Sequence, residues 1–130
     1  MKTLKALVVD DSRAMRHIIA KLLIELGFEV HEAATGLDAL GLATKMDGLS
    51  LVLLDWNMPE MDGRALLERL RADERYADLP IMMVTTESEM EQVEVALNAG
   101  ASEYLMKPFD RQALLEKLLL LGFDPERKVA

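Results

Sequence analysis

Polar residues with chemistry to offer stand where apolar runs stop. Asp10 and Asp11 follow residues 4–9, Asp55 follows 51–54, Thr85 follows 81–84 and Lys107 follows 103–106. Carboxylates gathered in one crevice repel each other, which favours a bound cation, and hard oxygen donors with several retained waters suit Mg²⁺. A threonine hydroxyl donates a hydrogen bond and a lysine ammonium is a point positive charge, the two things that hold a phosphoryl group. Taken singly each residue has an ordinary explanation. A lone aspartate caps a helix or forms a turn, Lys107 opens a turn before Pro108, and Thr85 is a β-branched strand terminus. The inference rests on their sharing one edge of a sheet.

That edge follows from the order of elements. Apolar stretches at 4–9, 28–32, 51–54, 81–84 and 103–106 alternate with amphipathic stretches at 12–26, 36–46, 62–72, 89–98 and 111–121. This alternation predicts an α/β fold, a doubly wound, flavodoxin-like parallel sheet of five strands in the order 2-1-3-4-5, with five helices on its two faces. Strands 1 and 3 are then neighbours, and Asp10, Asp11 and Asp55 converge at the topological switch point. In the first helix Met15, Ile18, Ile19, Leu22 and Leu26 form the apolar stripe, with Ser12 at its start and Gly27 at its end. Thr35 with Asp38 starts the second helix, and Ser88 with Glu91 forms a capping box for the fourth. Leu118-Leu119-Leu120-Leu121 exceeds what one apolar stripe buries, so one or two of these leucines are expected at the surface.

The chain has 130 residues, enough for one core, and reads as a domain over 1–123 with a short tail at 124–130. Fifteen basic and 23 acidic side chains give a net charge of −8, which disfavours direct nucleic-acid binding. No apolar run approaches the ~18 residues needed to cross a bilayer, and the aspartates at 10 and 11 interrupt the first run too early for a secretory segment. The absence of cysteine excludes disulfides and thiolate metal sites and suits a cytoplasmic location. His17 is expected on a polar helix face and His31 beside a strand, neither of them catalytic. The methionines are expected mainly as core fillers.

Five segments together resemble the receiver domain of two-component response regulators, most closely the single-domain chemotaxis regulators. They are Val8-Val9-Asp10-Asp11-Ser12, the run from Asp55 through Trp56-Asn57-Met58-Pro59-Glu60-Met61-Asp62 to Gly63, Val84-Thr85, Ala99-Gly100-Ala101 and Lys107-Pro108-Phe109, and the likeness spans about residues 4–121. The resemblance implies a switch that accepts a phosphoryl group from a sensor histidine kinase on Asp55. It implies Mg²⁺ held by Asp11, Asp55 and the backbone carbonyl of Asn57, with Asp10 assisting through water, and Thr85 and Lys107 on the phosphoryl oxygens. Tyr104 matches the switch aromatic that turns inward with the threonine. The Lys107-Pro108 bond is expected to be cis. Asn57 and Glu87 match the residues that tune dephosphorylation in short-lived members. The output is expected to be altered affinity for a downstream protein at the face of helix 4, strand 5 and helix 5, the chain being a monomer or weak homodimer.

The sequence departs from the family at Thr86, where a small residue usually leaves a path to the phosphate, so access to Asp55 is expected to be altered. Ser12 replaces the aromatic of some chemotaxis members. Three other functions share the topology. A phosphorelay carrier would pass the group on to another histidine protein. A metal-dependent phosphohydrolase would need a second aspartate where Asn57 stands and a cap over its substrate. A flavin module would set paired acids against its ligand's phosphate and lacks a phosphate-cradling loop. Self-phosphorylation and self-dephosphorylation are the only reactions expected, so the chain is not read as an enzyme acting on outside substrates.

Overall fold

Unbroken apolar runs are stable as strands only where helices cover both faces of the sheet. The computed structural model, which describes residues 4–56 and 63–124, has that arrangement. Strands β1 (Lys5–Val9), β2 (Glu29–Ala33), β3 (Leu49–Asp55), β4 (Ile81–Thr86) and β5 (Glu103–Lys107) form one sheet in the order β2-β1-β3-β4-β5. All neighbouring pairs are parallel. Helices α1 (Arg13–Glu25), α2 (Gly36–Lys45), α3 (Gly63–Arg71) and α4 (Val93–Asn98) lie in the crossovers, and α5 (Arg111–Leu120) follows the last strand. The expected fold class and strand order are therefore present.

Alternation along the central strands divides the interior in two. Ala6, Val8, Leu51, Leu53, Met82 and Val84 pack with Ile19 and Leu23 of α1 and Leu114 and Leu118 of α5. Leu7, Val9, Val52, Leu54, Ile81 and Met83 pack with Ala39 of α2, Leu66 and Leu70 of α3 and Ala96 of α4. Burying a leucine or isoleucine of this kind contributes about 1.5–3 kcal/mol. The edge strands are less apolar. β2 exposes Glu29 and Glu32, and β5 buries only Leu105 outright, charged and polar residues at an edge deterring pairing with another sheet.

The first helix has Ser12 as its N-cap, accepting from the Met15 N–H, and ends where Gly27 takes φ +96°. Its apolar stripe differs from the one expected. Ile19, Ala20, Leu23 and Leu26 are buried, Met15 and Leu22 are partly buried, and Ile18 is 53% exposed. Two adjacent isoleucines lie about 100° apart around a helix, and the sheet receives only the face centred on Ile19 and Leu23. Thr35 caps α2 by accepting from the Asp38 N–H, as expected.

The fourth helical segment also departs from expectation. A 3₁₀ helix covers Glu87–Gln92, and α-helix begins only at Val93. Its capping box is Thr86 with Glu89, two residues before the pair Ser88 and Glu91 expected from the sequence. Glu87 and Glu91 would stand i, i+4 on an α-helix, where like charges repel, and the 3₁₀ turn removes that register. In α5, Leu118 is fully buried while Leu119 and Leu120 are 48% and 71% exposed, so two leucines of the run face outward.

Candidate functional site

Four strands deliver polar residues to the carboxyl edge of the sheet. β1 ends at Val9, and Asp10 is fixed at once by its N–H donating to the Ala33 carbonyl at 3.1 Å. Asp55 is the last residue of β3, where it pairs in register with Val84, one position before Thr85. Thr86 pairs with Lys107, the last residue of β5. Strands β3, β4 and β5 thus extend one or two residues further than the apolar runs alone suggest, so Asp55, Thr85 and Lys107 lie within them, whereas Asp10 follows the end of β1.

The register brings the three acids together. Carboxylate oxygens of Asp10, Asp11 and Asp55 all lie within 4.8 Å of one another, with Asp10 and Asp55 buried and Asp11 exposed. Asp10 Oδ1 accepts from the Ser12 N–H at 2.8 Å, and Lys107 Nζ donates to its Oδ2 at 3.1 Å. The same ammonium is 3.6 Å from Asp55 Oδ1. One cation therefore compensates two buried carboxylates, and the exposed third acid leaves an opening to solvent. All three are hard oxygen donors, and the group includes no histidine or cysteine, a donor set that fits Mg²⁺. Thr85 is fully buried, its hydroxyl donating to the Thr86 carbonyl at 3.3 Å.

The surroundings hold this arrangement in place. Arg16 Nη1 donates to the Asp10 carbonyl at 2.8 Å and its Nε lies 3.4 Å from Glu32 Oε1, a support that the amphipathic pattern of α1 did not reveal. On the other side, Gly63 opens α3 directly against the strand exit. A Cβ there would meet the Asp55 carbonyl and the Trp56 Cα at 2.7 Å, so only glycine permits the approach. The Lys107-Pro108 peptide is cis, as expected.

Thr86, the last residue of β4, is half-buried, and its hydroxyl is engaged. It donates to Glu89 Oε1 at 2.8 Å and lies 2.9 Å from Ser88 Oγ, while its N–H also donates to Glu89 at 3.2 Å. Glu87 is exposed in the following turn. Tyr104 is half-buried on β5 with Lys117 Nζ 3.9 Å from its ring centroid. Asn57, proposed from sequence as a metal ligand and dephosphorylation residue, lies outside the described residues. Neither histidine belongs to the site: His17 lies 3.9 Å from Glu32 Oε1, and His31 is bonded to Glu29, whose carboxyl it holds below the usual range.

Arg71 is a further structural residue that the sequence did not single out. Its Nε donates to the Gly100 carbonyl at 2.9 Å, Nη1 to the Tyr76 carbonyl at 2.6 Å and Nη2 to Ser102 Oγ at 3.2 Å. Burial pushes its guanidinium below the ordinary arginine range. The residue ties the end of α3 to the turn that feeds β5. Among the described residues, no helix is long and apolar enough to cross a membrane.

Comparison with known proteins gives the same picture. The family profile described as "Response regulator receiver domain" matches residues 6–119. A chemotaxis protein CheY homolog of Campylobacter jejuni is 48% identical over 116 residues, covering 88% of this chain and 89% of that protein. The solved structure of Vibrio cholerae chemotaxis protein CheY4 superposes with a TM-score of 0.86 at 35% identity, over 92% of this chain and 99% of its own. A CheY-like receiver domain protein from Methanospirillum hungatei superposes with a TM-score of 0.83 at 33% identity, over 93% and 95% of the two chains. These likenesses lend no support to the phosphohydrolase or flavin-module alternatives. With an acid cluster at the switch point, a buried threonine on the next strand and a lysine reaching across from the last, the chain belongs to the response regulator receiver domain family.

Proposed function

We propose that this receiver domain is a phosphorylation-activated switch, with Asp55 as the phosphoacceptor and a sensor histidine kinase as the donor. The observation that carries the reading is the placement of Lys107 Nζ at 3.1 Å from Asp10 and 3.6 Å from Asp55, beside an acid cluster open to solvent at Asp11. The Asp55 carboxylate oxygen attacks phosphorus as the phosphorus–nitrogen bond of a phosphohistidine breaks, and the imidazole leaves with the bond pair. Because phosphohistidine already carries a good leaving group, alignment and charge shielding are the main requirements. Asp10, Asp11 and Asp55 would hold Mg²⁺ together with the Asn57 carbonyl, and the ion would neutralise oxygens of the transferring group. Lys107 exchanges its contact with Asp55 for a phosphoryl oxygen, and the Thr85 hydroxyl turns to donate to another. Attack of water on the acyl phosphate returns the Asp55 carboxylate and inorganic phosphate, with Asn57 and Glu87 tuning that rate.

The output is a change in affinity for a protein target at α4, β5 and α5, with Tyr104 as the moving aromatic. Leu97, Met106, Leu119 and Leu120 on these elements are 43%, 41%, 48% and 71% exposed, an apolar endowment that suits protein contact. The names of the relatives support a role in chemotaxis, and a cytoplasmic setting is proposed with it. We take the domain as residues 1–123. The test uses Trp56, the only tryptophan, which follows Asp55 directly. Mg²⁺ is titrated first and acetyl phosphate added second, with emission followed in the native protein and in Asp55→Asn. A phosphodonor response that needs Mg²⁺ and vanishes in Asp55→Asn supports the switch. Metal binding with no phosphodonor response in the native protein would sink it.

A further inference from the structure

β5 is an edge strand, and its side chains divide between the two cores. Leu105 packs with α1 and α5, whereas Tyr104 packs on the opposite side of the sheet with α3 and α4. Lys117 belongs to α5, yet its ammonium reaches around the open edge to lie 3.9 Å from the Tyr104 ring centroid. It is anchored there by Glu103, whose Oε1 lies 2.9 Å from Lys117 Nζ. That same oxygen accepts the Tyr104 backbone N–H at 3.0 Å. One carboxylate oxygen therefore holds both the backbone of the tyrosine and the cation that covers its ring. The pair is sheltered, Lys117 and Glu103 being 22% and 20% exposed, so salt screens it less than an open surface pair.

We propose that Lys117 is a positioning residue that latches Tyr104 in its resting orientation, with Glu103 as the anchor of the latch. The proposal rests on the reading of Tyr104 as the moving aromatic. An inward turn takes the ring away from the ammonium and forfeits the attraction of the cation for the ring face, so the latch opposes the active orientation in the absence of phosphate. Activation must overcome it, and the latch thereby sets how silent the unphosphorylated protein is. It acts through Tyr104 and touches none of the reacting atoms.

The experiment uses the full chain labelled with fluorotyrosine, read by fluorine NMR. There are two tyrosines, and Tyr76, buried with its hydroxyl on the Ala43 carbonyl, serves as a reference for intact folding. Lys117→Met keeps the aliphatic stem and removes the charge. In the unphosphorylated state it is expected to raise the inward Tyr104 population about two- to fivefold, the range set by a partly sheltered cation–π contact. Lys117→Arg is expected to restore the native ratio, and Glu103→Gln to give an intermediate one, the Tyr76 signal staying fixed throughout. An unchanged Tyr104 population in Lys117→Met, in a protein whose native form turns Tyr104 on adding Mg²⁺ and beryllofluoride, overturns the latch alone. A native protein that binds beryllofluoride at Asp55 with no Tyr104 response overturns the switch reading, and the latch with it.

Discussion

Lys107 Nζ lies 3.1 Å from Asp10 and 3.6 Å from Asp55, joining the exits of three strands across the switch point. The lysine occupies the place of a positive charge between two buried acids. Its removal in Lys107→Met therefore has opposite effects on two kinds of binding. Mg²⁺ is expected to bind about tenfold more tightly, a fraction of the ~4 kcal/mol that two unit charges at about 4 Å exchange at an effective dielectric of 20. Phosphorylation by acetyl phosphate is expected to slow by at least about tenfold, since a charge on the transferring group is lost. Metal titration by Trp56 emission and single-turnover phosphorylation check the two effects separately.

Gly63 is required by the contact of α3 with the strand exit. In Gly63→Ala the new Cβ meets the Asp55 carbonyl and Trp56 Cα, both backbone atoms, at 2.7 Å. Overpacking of this kind costs about 1–3 kcal/mol. Urea denaturation is expected to show a lower midpoint at unchanged slope, with an altered native Trp56 emission because the strain falls beside that ring. An unaltered midpoint would contradict the close approach.

Thr86 caps the turn that follows β4, and its proposed second role, narrowing access to Asp55, pulls the other way. Its hydroxyl and N–H bind Glu89, and losing the cap in Thr86→Ala is expected to cost about 0.5–2 kcal/mol of stability. On the proposed access role a smaller side chain would widen the approach to Asp55, and phosphorylation by acetyl phosphate is expected to quicken about threefold, or about 0.65 kcal/mol of barrier. A thermal melt and the rate measured by Trp56 emission read the two roles in one variant.

Arg71 binds four partners on two segments, the Tyr76 and Ala77 carbonyls after α3 and the Gly100 carbonyl and Ser102 Oγ before β5. Arg71→Met strands those acceptors and is expected to destabilise the domain by about 2 kcal/mol, in the range of hydrogen bonds to charged groups. Arg71→Lys is expected to recover less than half, because an ammonium lacks the planar fork. Denaturant midpoints of the three proteins decide it.

The sheet order and the convergence of Asp10, Asp11 and Asp55 were legible because both follow from where apolar runs end. Period-2 and period-3.6 patterns mark the elements, and the switch point then dictates which exits are adjacent. The miscast details come from tertiary or electrostatic competition. Ile18 fits a helical stripe as well as Leu23 does, and only the position of the sheet decides between them. The stretch from Thr86 to Glu94 carries two possible capping pairs, Thr86 with Glu89 and Ser88 with Glu91, and the structure uses the earlier one with a 3₁₀ turn. Arg16, Arg71 and Lys117 went unnoticed because long basic side chains on amphipathic helices read as solvated faces. Each instead reaches a backbone carbonyl, a carboxylate or a ring in a distant segment.

The most direct measurement is the intact mass of the native protein and of Asp55→Asn after treatment with acetyl phosphate and Mg²⁺, followed by reductive trapping of the acyl phosphate and peptide mapping. The account predicts one phosphoryl adduct in the native protein, dependent on Mg²⁺, carried by residue 55 and absent from Asp55→Asn. An adduct that persists in Asp55→Asn, or a native protein that binds Mg²⁺ and acquires none, would contradict it.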